Sequence, residues 1–111
     1  MIILFADKRL EKESHDHRLL QKRYGSLQAK KIEQRLSDLA AAPNLEVMRT
    51  LPGHCHELTG DHKGHLAIDL VQPYRLIFEV ANDPLPIKQD GGLDWSLVTE
   101  IKIIEIENYH D

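Results

Sequence analysis

His65-Leu-Ala-Ile-Asp-Leu-Val-Gln-Pro-Tyr-Arg-Leu-Ile-Phe-Glu-Val80 is the stretch of sequence that decides the fold. Leu66, Ile68 and Leu70 alternate with smaller or polar residues, which is the period-two pattern of a half-buried strand. The Gln-Pro pair marks a turn, and a second run of aliphatic and aromatic residues follows it. The stretch therefore predicts an antiparallel pair of strands over His65–Val71 and Tyr74–Val80.

Three further strands are predicted on the two sides of this pair. Ile2–Phe5 is β-branched and aromatic, and Thr99–Tyr109 is rich in isoleucine. His54–Thr59 precedes the pair and is joined to it by a turn that glycines bound. Residues 81–96 contain three Asp, two Pro and two Gly, which predicts a loop. Trp95 in this loop is expected to pack against the body of the protein.

The residues between the first strand and the first proline have helical periodicity. One helix is predicted near residues 15–24, with Ser14 as its N-cap and Gly25 as its stop. A second, amphipathic helix is capped by Ser26 and ends at Pro43, because its apolar residues repeat at helical spacing. Together the two helices are expected to form a helical hairpin.

Helices that are separate from a run of strands indicate an α+β fold. We predict a single domain over residues 1–111, in which a twisted antiparallel sheet of four or five strands has the helical hairpin packed on one face. A short helical or turn segment over Leu45–Leu51 connects the two parts. The other face of the sheet is then free to carry a functional site.

The composition is that of an ordinary globular domain with an acidic balance. The 111 residues include 14 Lys and Arg against 18 Asp and Glu, and 41% of the chain is apolar. The longest apolar run, Met1–Ala6, is far shorter than the ~20 residues of a membrane-spanning helix, and it lacks the features of a signal peptide. The only cysteine, Cys55, excludes an internal disulfide, and we expect a cytoplasmic protein.

Positive charge is concentrated in the first part of the chain. Residues 1–35 have nine basic and five acidic side chains, whereas residues 36–111 have five basic and thirteen acidic ones. A local basic face can bind nucleic-acid phosphates although the whole chain is acidic. The alternative for this face is an ordinary solvated surface.

Three motifs occur in order along the chain: Leu51-Pro-Gly-His-Cys-His-Glu-Leu-Thr-Gly-Asp61 with Lys63-Gly64, Tyr74-Arg-Leu-Ile-Phe78, and Asn108-Tyr-His110. In this order they resemble the RelE/ParE toxin superfamily, and within it the HigB-type killer proteins. The resemblance implies a RelE-like fold and a ribosome-dependent endoribonuclease, an mRNA interferase, that uses no metal or cofactor. It also implies a helix-turn-helix antitoxin of the HigA type as the partner, with operator DNA bound only through that antitoxin.

The resemblance also implies which side chains act on the RNA. The RNA's own 2′-hydroxyl can cut the chain if the site supplies a base, an acid and a cation for the phosphate. His56 or His110 is expected to be the base or the acid, Arg75 to bind the phosphate, and Tyr109 to stack on the RNA or hydrogen-bond to it. Asn108 stands where the family has Asp, so it can hydrogen-bond but cannot ionise. The residues expected to bind ribosomal RNA are Lys63 and, on the helices, Arg9, Lys12, Arg18, Lys22, Arg23, Lys30, Lys31 and Arg35.

Two other functions remain open from the sequence. A ParE-like poison of DNA gyrase shares the fold, although such proteins do not rely on a terminal Tyr-His and this chain has Tyr109 and His110. A catalytically silent module that only binds an antitoxin is favoured by Asn108 and by the acidic charge.

Single residues also have structural alternatives. Arg75 could form an ion pair with Glu79, which lies two residues further along the same strand face. His54 and His56 could hold zinc with further ligands. Cys55 could be a thiol nucleophile, but a small buried cysteine is the favoured interpretation.

Overall fold

The computed structural model describes residues 1–109, which form a five-stranded sheet and three α-helices. The strands are β1 (Ile2–Phe5), β2 (His56–Glu57), β3 (His65–Asp69), β4 (Tyr74–Val80) and β5 (Glu100–Asn108). The helices are α1 (Lys8–Ser14), α2 (His17–Tyr24) and α3 (Ser26–Ala41). Short 3-10 helices cover Leu45–Thr50, Gly60–His62 and Trp95–Leu97. The predicted α+β class is confirmed.

The strand order in the sheet is β1-β5-β4-β3-β2. The strands from β2 to β5 pair antiparallel, as predicted. β1 pairs parallel with β5, which corrects the prediction of a wholly antiparallel sheet. Strands joined by a short turn must run antiparallel, whereas β1 and β5 are connected through every other element and are free to run in the same direction.

The part of the helical region before Gly25 begins earlier than predicted and consists of two helices, α1 and α2. Asp7 caps α1 by accepting a hydrogen bond from the Leu10 amide at 2.8 Å. Asp16 is the N-cap of α2. The prediction of Ser14 as an N-cap is therefore wrong, and Ser14 is the last residue of α1. Ser26 is likewise the first residue of α3, preceded by Gly25. Within residues 1–109 no helix is long and apolar enough to cross a membrane.

The first strand of the predicted hairpin is shorter than the sequence pattern suggests. β2 covers His56–Glu57, whereas the prediction was His54–Thr59. The chain before β2 is not extended, because Gly53 and His54 both have a positive φ. The ends of β3 and β5 also lie earlier than predicted, at Asp69 and Asn108.

The core lies between the helices and one face of the sheet. Its buried members include Leu20, Ile32 and Leu39 from the helices and Leu66, Ile68, Phe78, Ile101 and Ile103 from the sheet. Trp95 is buried in the same core, and its Nε1 donates to Glu57 Oε2 at 3.0 Å. The long loop therefore packs against the body of the protein, as predicted.

Replacement of Gly53 by alanine is expected to lower the free energy of unfolding by about 2–4 kcal/mol. Gly53 has a φ of +115°, and an added Cβ would lie 2.7 Å from Ile68 Cγ1 and 3.0 Å from Arg35 Nε. Both neighbours are buried, so neither side chain can move away without disturbing the core. Urea-induced unfolding of the two proteins measures the difference.

Gly60→Ala is the matched control for this substitution. Gly60 also has a positive φ, +66°, but an added Cβ would meet nothing within 4 Å. Only the backbone strain then remains, and we expect a loss of about 1 kcal/mol. Equal losses in the two variants would contradict the role given to the close packing around Gly53.

Candidate active site

One face of the sheet is turned away from the helices, and the strand register decides which side chains it carries. Arg75 on β4 lies opposite Asp69 on β3 and Glu107 on β5. His56 on β2 lies opposite Ala67, two residues from Asp69 along β3. Directly paired residues share a face, and their neighbours in the chain pack in the core. The face that carries His56, Asp69, Arg75 and Glu107 is named the site face below.

Arg75 is held on two sides. Its Nε donates to Glu107 Oε2 at 2.7 Å, and the two side chains are mostly buried, with 17% and 22% exposed. Its guanidinium carbon lies 4.8 Å from the centroid of the Tyr109 ring, which is a cation–π distance. The Tyr109 hydroxyl donates in turn to the side-chain oxygen of Gln72. Two predicted site residues, Arg75 and Tyr109, are therefore in contact.

Glu79, the alternative ion-pair partner of Arg75, is engaged elsewhere. Its carboxylate lies 3.5 Å from Lys102 Nζ and 3.6 Å from His65 Nε2. Residues two apart on one strand are separated by ~7 Å, whereas directly opposed residues on adjacent strands are closer. The alternative of an Arg75–Glu79 pair is wrong, and Glu107 is the partner of Arg75.

His56 has a defined ring orientation. Its Nδ1 lies 2.6 Å from the carbonyl oxygen of His54, and the two rings stack with 4.3 Å between their centroids. A carbonyl oxygen can only accept, so this contact assigns the hydrogen to Nδ1 and leaves Nε2 of the neutral ring as the proton acceptor. From strand spacings, the Cα atoms of His56 and Arg75 are ~12 Å apart, and the site-face residues between them, Ala67 and Ile77, are buried.

Neither zinc nor a reactive thiol is favoured around Cys55. Within residues 1–109, no three His, Cys, Asp or Glu side chains lie close enough together to hold a metal ion. Burial raises the pKa of the Cys55 thiol to about 12, although the charge of Arg49 opposes this, so the thiol stays protonated at neutral pH. The prediction of a buried cysteine is confirmed.

The C-terminal motif is divided between the two faces of the sheet. The register places Asn108 opposite Tyr74, on the helix side and not on the site face. Tyr109 follows the end of β5 and contacts Arg75. His110, the other candidate acid or base, lies outside the described residues.

The predicted ribosome-binding residues lie mainly on the helices. The exposed ones include Arg18, Lys22, Arg23, Lys30 and Lys63, and Lys31 is half-buried. Arg23 Nη1 lies 3.4 Å from the Glu13 carboxylate, which Arg9 also approaches to 3.7 Å. Part of the charge on α1 and α2 is therefore neutralised within the protein.

Arg35 does not belong to this basic surface, which corrects its predicted place there. Only 7% of the residue is exposed. Its Nε donates to the backbone carbonyl of Asp69 at 2.9 Å, so Arg35 joins α3 to β3. The sequence analysis placed Arg35 on the polar face of this helix, because a long basic side chain usually lies in water, and the structure shows that it is buried.

Asp69 and Glu107 are site-face residues that the sequence analysis did not single out. The predicted two-residue turn, Gln72-Pro73, would place Asp69 opposite Leu76, whereas the observed pairing of Asp69 with Arg75 requires a turn that is one residue longer. The sequence did not identify Glu107 as the other neighbour of Arg75 either. β5 follows a long loop, and its pairing with β4 shifts at Ile77/Phe78.

The chain is similar to a solved toxin structure along almost its whole length. It matches the YoeB/ParE toxin from Agrobacterium tumefaciens with a TM-score of 0.58 and 12% sequence identity, covering 97% of this chain and 98% of that one. The fold is that of a YoeB/ParE toxin. No protein-family model and no curated protein sequence matches the chain. The shared fold confirms the predicted α+β architecture, and the RelE/ParE superfamily and HigB-type assignments stay predictions.

Proposed function

We propose that this protein is the toxin of a type II toxin–antitoxin pair and that it cleaves mRNA on the ribosome, as a HigB-type endoribonuclease does. The observation that carries the proposal is the arrangement of Arg75, where one site-face guanidinium is oriented by Glu107 and Tyr109. His56 on the same face contributes a nitrogen that can accept a proton. A cation and a base on the same sheet face suit cleavage of a phosphodiester.

The proposed chemistry uses the RNA's own 2′-hydroxyl as nucleophile. His56 Nε2 removes the 2′-proton while the 2′-oxygen forms a bond to phosphorus. The bond from phosphorus to the 5′-oxygen breaks, and the general acid, for which His110 is the candidate, protonates the leaving oxygen. Arg75 stabilises the negative charge that grows on the phosphate oxygens. This scheme needs no metal.

The proposed partners follow from the same function. A helix-turn-helix antitoxin of the HigA type neutralises the toxin in the cytoplasm, and the complex binds operator DNA through that antitoxin. Arg18, Lys22, Lys30 and Lys63 are exposed cations that we assign to contacts with the ribosomal RNA backbone. We propose that residues 1–111 form a single toxin domain.

A gyrase poison is the second candidate, because the similar solved structure bears the name ParE as well as YoeB. A silent antitoxin-binding module is the third. It is favoured by the engagement of Arg75 with Glu107, since a paired guanidinium is less free to bind phosphate.

Induced expression without the antitoxin, with mapping of mRNA 5′ ends, tests these functions. We expect new ends inside translated frames in the wild type, and about 100-fold fewer in His56→Ala. His54→Asn is the control, because it removes the stacked ring, keeps the backbone carbonyl and tolerates the positive φ of this position. The same measurement on His110→Ala tests the assignment of the acid.

The outcomes separate the three functions. Cuts that disappear in His56→Ala and persist in His54→Asn support the nuclease. Growth arrest with intact messages points to gyrase and contradicts the proposal. Neither arrest nor cleavage points to a silent binding module and contradicts it too.

A further inference from the structure

We infer that Glu107 is a positioning residue, which holds the Arg75 guanidinium in the orientation that binds the scissile phosphate. The inference rests on the proposed nuclease function and adds a residue that lies outside the three sequence motifs. Glu107 lies directly opposite Arg75 in the β4–β5 pair.

The geometry fixes the guanidinium along two directions. Glu107 Oε2 accepts from Arg75 Nε at 2.7 Å, and the guanidinium carbon lies over the Tyr109 ring, 4.8 Å from its centroid. Both charged side chains are mostly buried, so water competes weakly for this contact. Within residues 1–109, the terminal nitrogens of Arg75 make no hydrogen bond to the protein. Their N–H groups are therefore the ones presented to a phosphate.

The acidic side chains beside Arg75 weaken the attraction between this site and a phosphate. Asp69 and Glu107 lie on the two sides of Arg75, so the row holds two acidic residues and one basic residue. A carboxylate beside the binding cation repels phosphate and weakens ground-state binding. The benefit of Glu107 is that it orients the Arg75 guanidinium. A planar guanidinium binds phosphate well only when its N–H groups point at the phosphate oxygens.

Glu105 offers a matched control on the same strand. It lies opposite Ile77 on the site face, two residues from Glu107, and it is exposed and makes no ion pair within residues 1–109. Its removal changes the charge of the face by the same amount without releasing Arg75. A difference between the two variants then reports orientation and not charge.

Cleavage by Glu107→Ala, Glu107→Gln and Glu105→Ala, measured on ribosomes programmed with mRNA, tests the inference. We expect Glu107→Ala to lower kcat about tenfold, because Arg75 is no longer oriented. KM should be unchanged or lower, because the substitution also removes a negative charge that repels phosphate. Glu107→Gln should restore kcat to within about twofold, since its amide oxygen can accept from Arg75 Nε. Glu105→Ala should keep the wild-type kcat.

The kcat values of these variants test the positioning role of Glu107. A kcat that falls equally in Glu105→Ala and Glu107→Ala, or one that Glu107→Gln does not restore, overturns the inference and leaves the nuclease function standing. If Glu107→Ala does not fold, Glu107→Gln against Glu105→Gln decides, and a low kcat in Glu107→Gln alone overturns the role as hydrogen-bond acceptor. Absence of cleavage by the wild type overturns the proposed function, and this inference with it.

Discussion

Replacement of Arg75 by alanine is expected to slow mRNA cleavage about 1000-fold at unchanged antitoxin binding. The loss combines two effects. The guanidinium that stabilises the phosphate charge is removed, and the carboxylates of Asp69 and Glu107 on its two sides are left without a cation between them. Single-turnover cleavage on programmed ribosomes measures the rate, and copurification with the antitoxin measures binding.

Arg49→Ala is the control for the loss of an arginine that has similar contacts. Arg49 also pairs with a carboxylate, Glu46 at 3.1 Å, and also lies over an aromatic ring, that of Trp95 at 3.7 Å. It is on a 3-10 helix and not on the site face, so we expect cleavage at the wild-type rate. Equal losses in the two variants would show that Arg75 acts through stability alone.

Arg75→Lys refines the same prediction. Lysine keeps the positive charge but replaces the planar fork by a point charge, so it cannot bind Glu107 and a phosphate in the same geometry. We expect a rate between those of the wild type and the alanine variant. A lysine variant as fast as the wild type would mean that charge suffices and that the orientation seen here has no catalytic role.

The sequence was sufficient where structure depends on local patterns. β4 begins and ends where alternation predicted it, and α3 covers the amphipathic stretch before Pro43. Predictions failed where the backbone departs from its local preference. The positive φ of His54 shortens β2, and the aspartate cap at Asp16 divides the polar stretch into α1 and α2.

The site was predictable only in part, for a related reason. Side-chain type and motif order singled out His56, Arg75 and Tyr109, and the structure brings the last two into contact. The partner of Arg75 depended on the register of β5, which is set across a long loop and a shift in pairing. Local preferences do not determine such a register, so Glu107 could not be chosen over Glu79 beforehand.

Neutralising three exposed cations on the helices is expected to weaken ribosome binding about 10- to 100-fold at low salt. The triple variant is Arg18→Gln, Lys22→Gln and Lys30→Gln, and these side chains make no ion pair within residues 1–109. Each contact with a phosphate releases bound counterions, so the loss of three contacts lowers the slope of log affinity against log salt by about 2–3. Sedimentation with ribosomes at several salt concentrations measures both quantities.

A second triple variant distinguishes a local surface from net charge. Arg49→Gln, Lys88→Gln and Lys102→Gln removes the same charge from side chains that already pair with Glu46, Asp90 and Glu79. Paired cations release few counterions on binding, so we expect almost the wild-type salt slope. Similar slopes in the two triple variants would mean that the helices make no particular contact with RNA. The acidic balance of the chain would then act on the ribosome only as a long-range field.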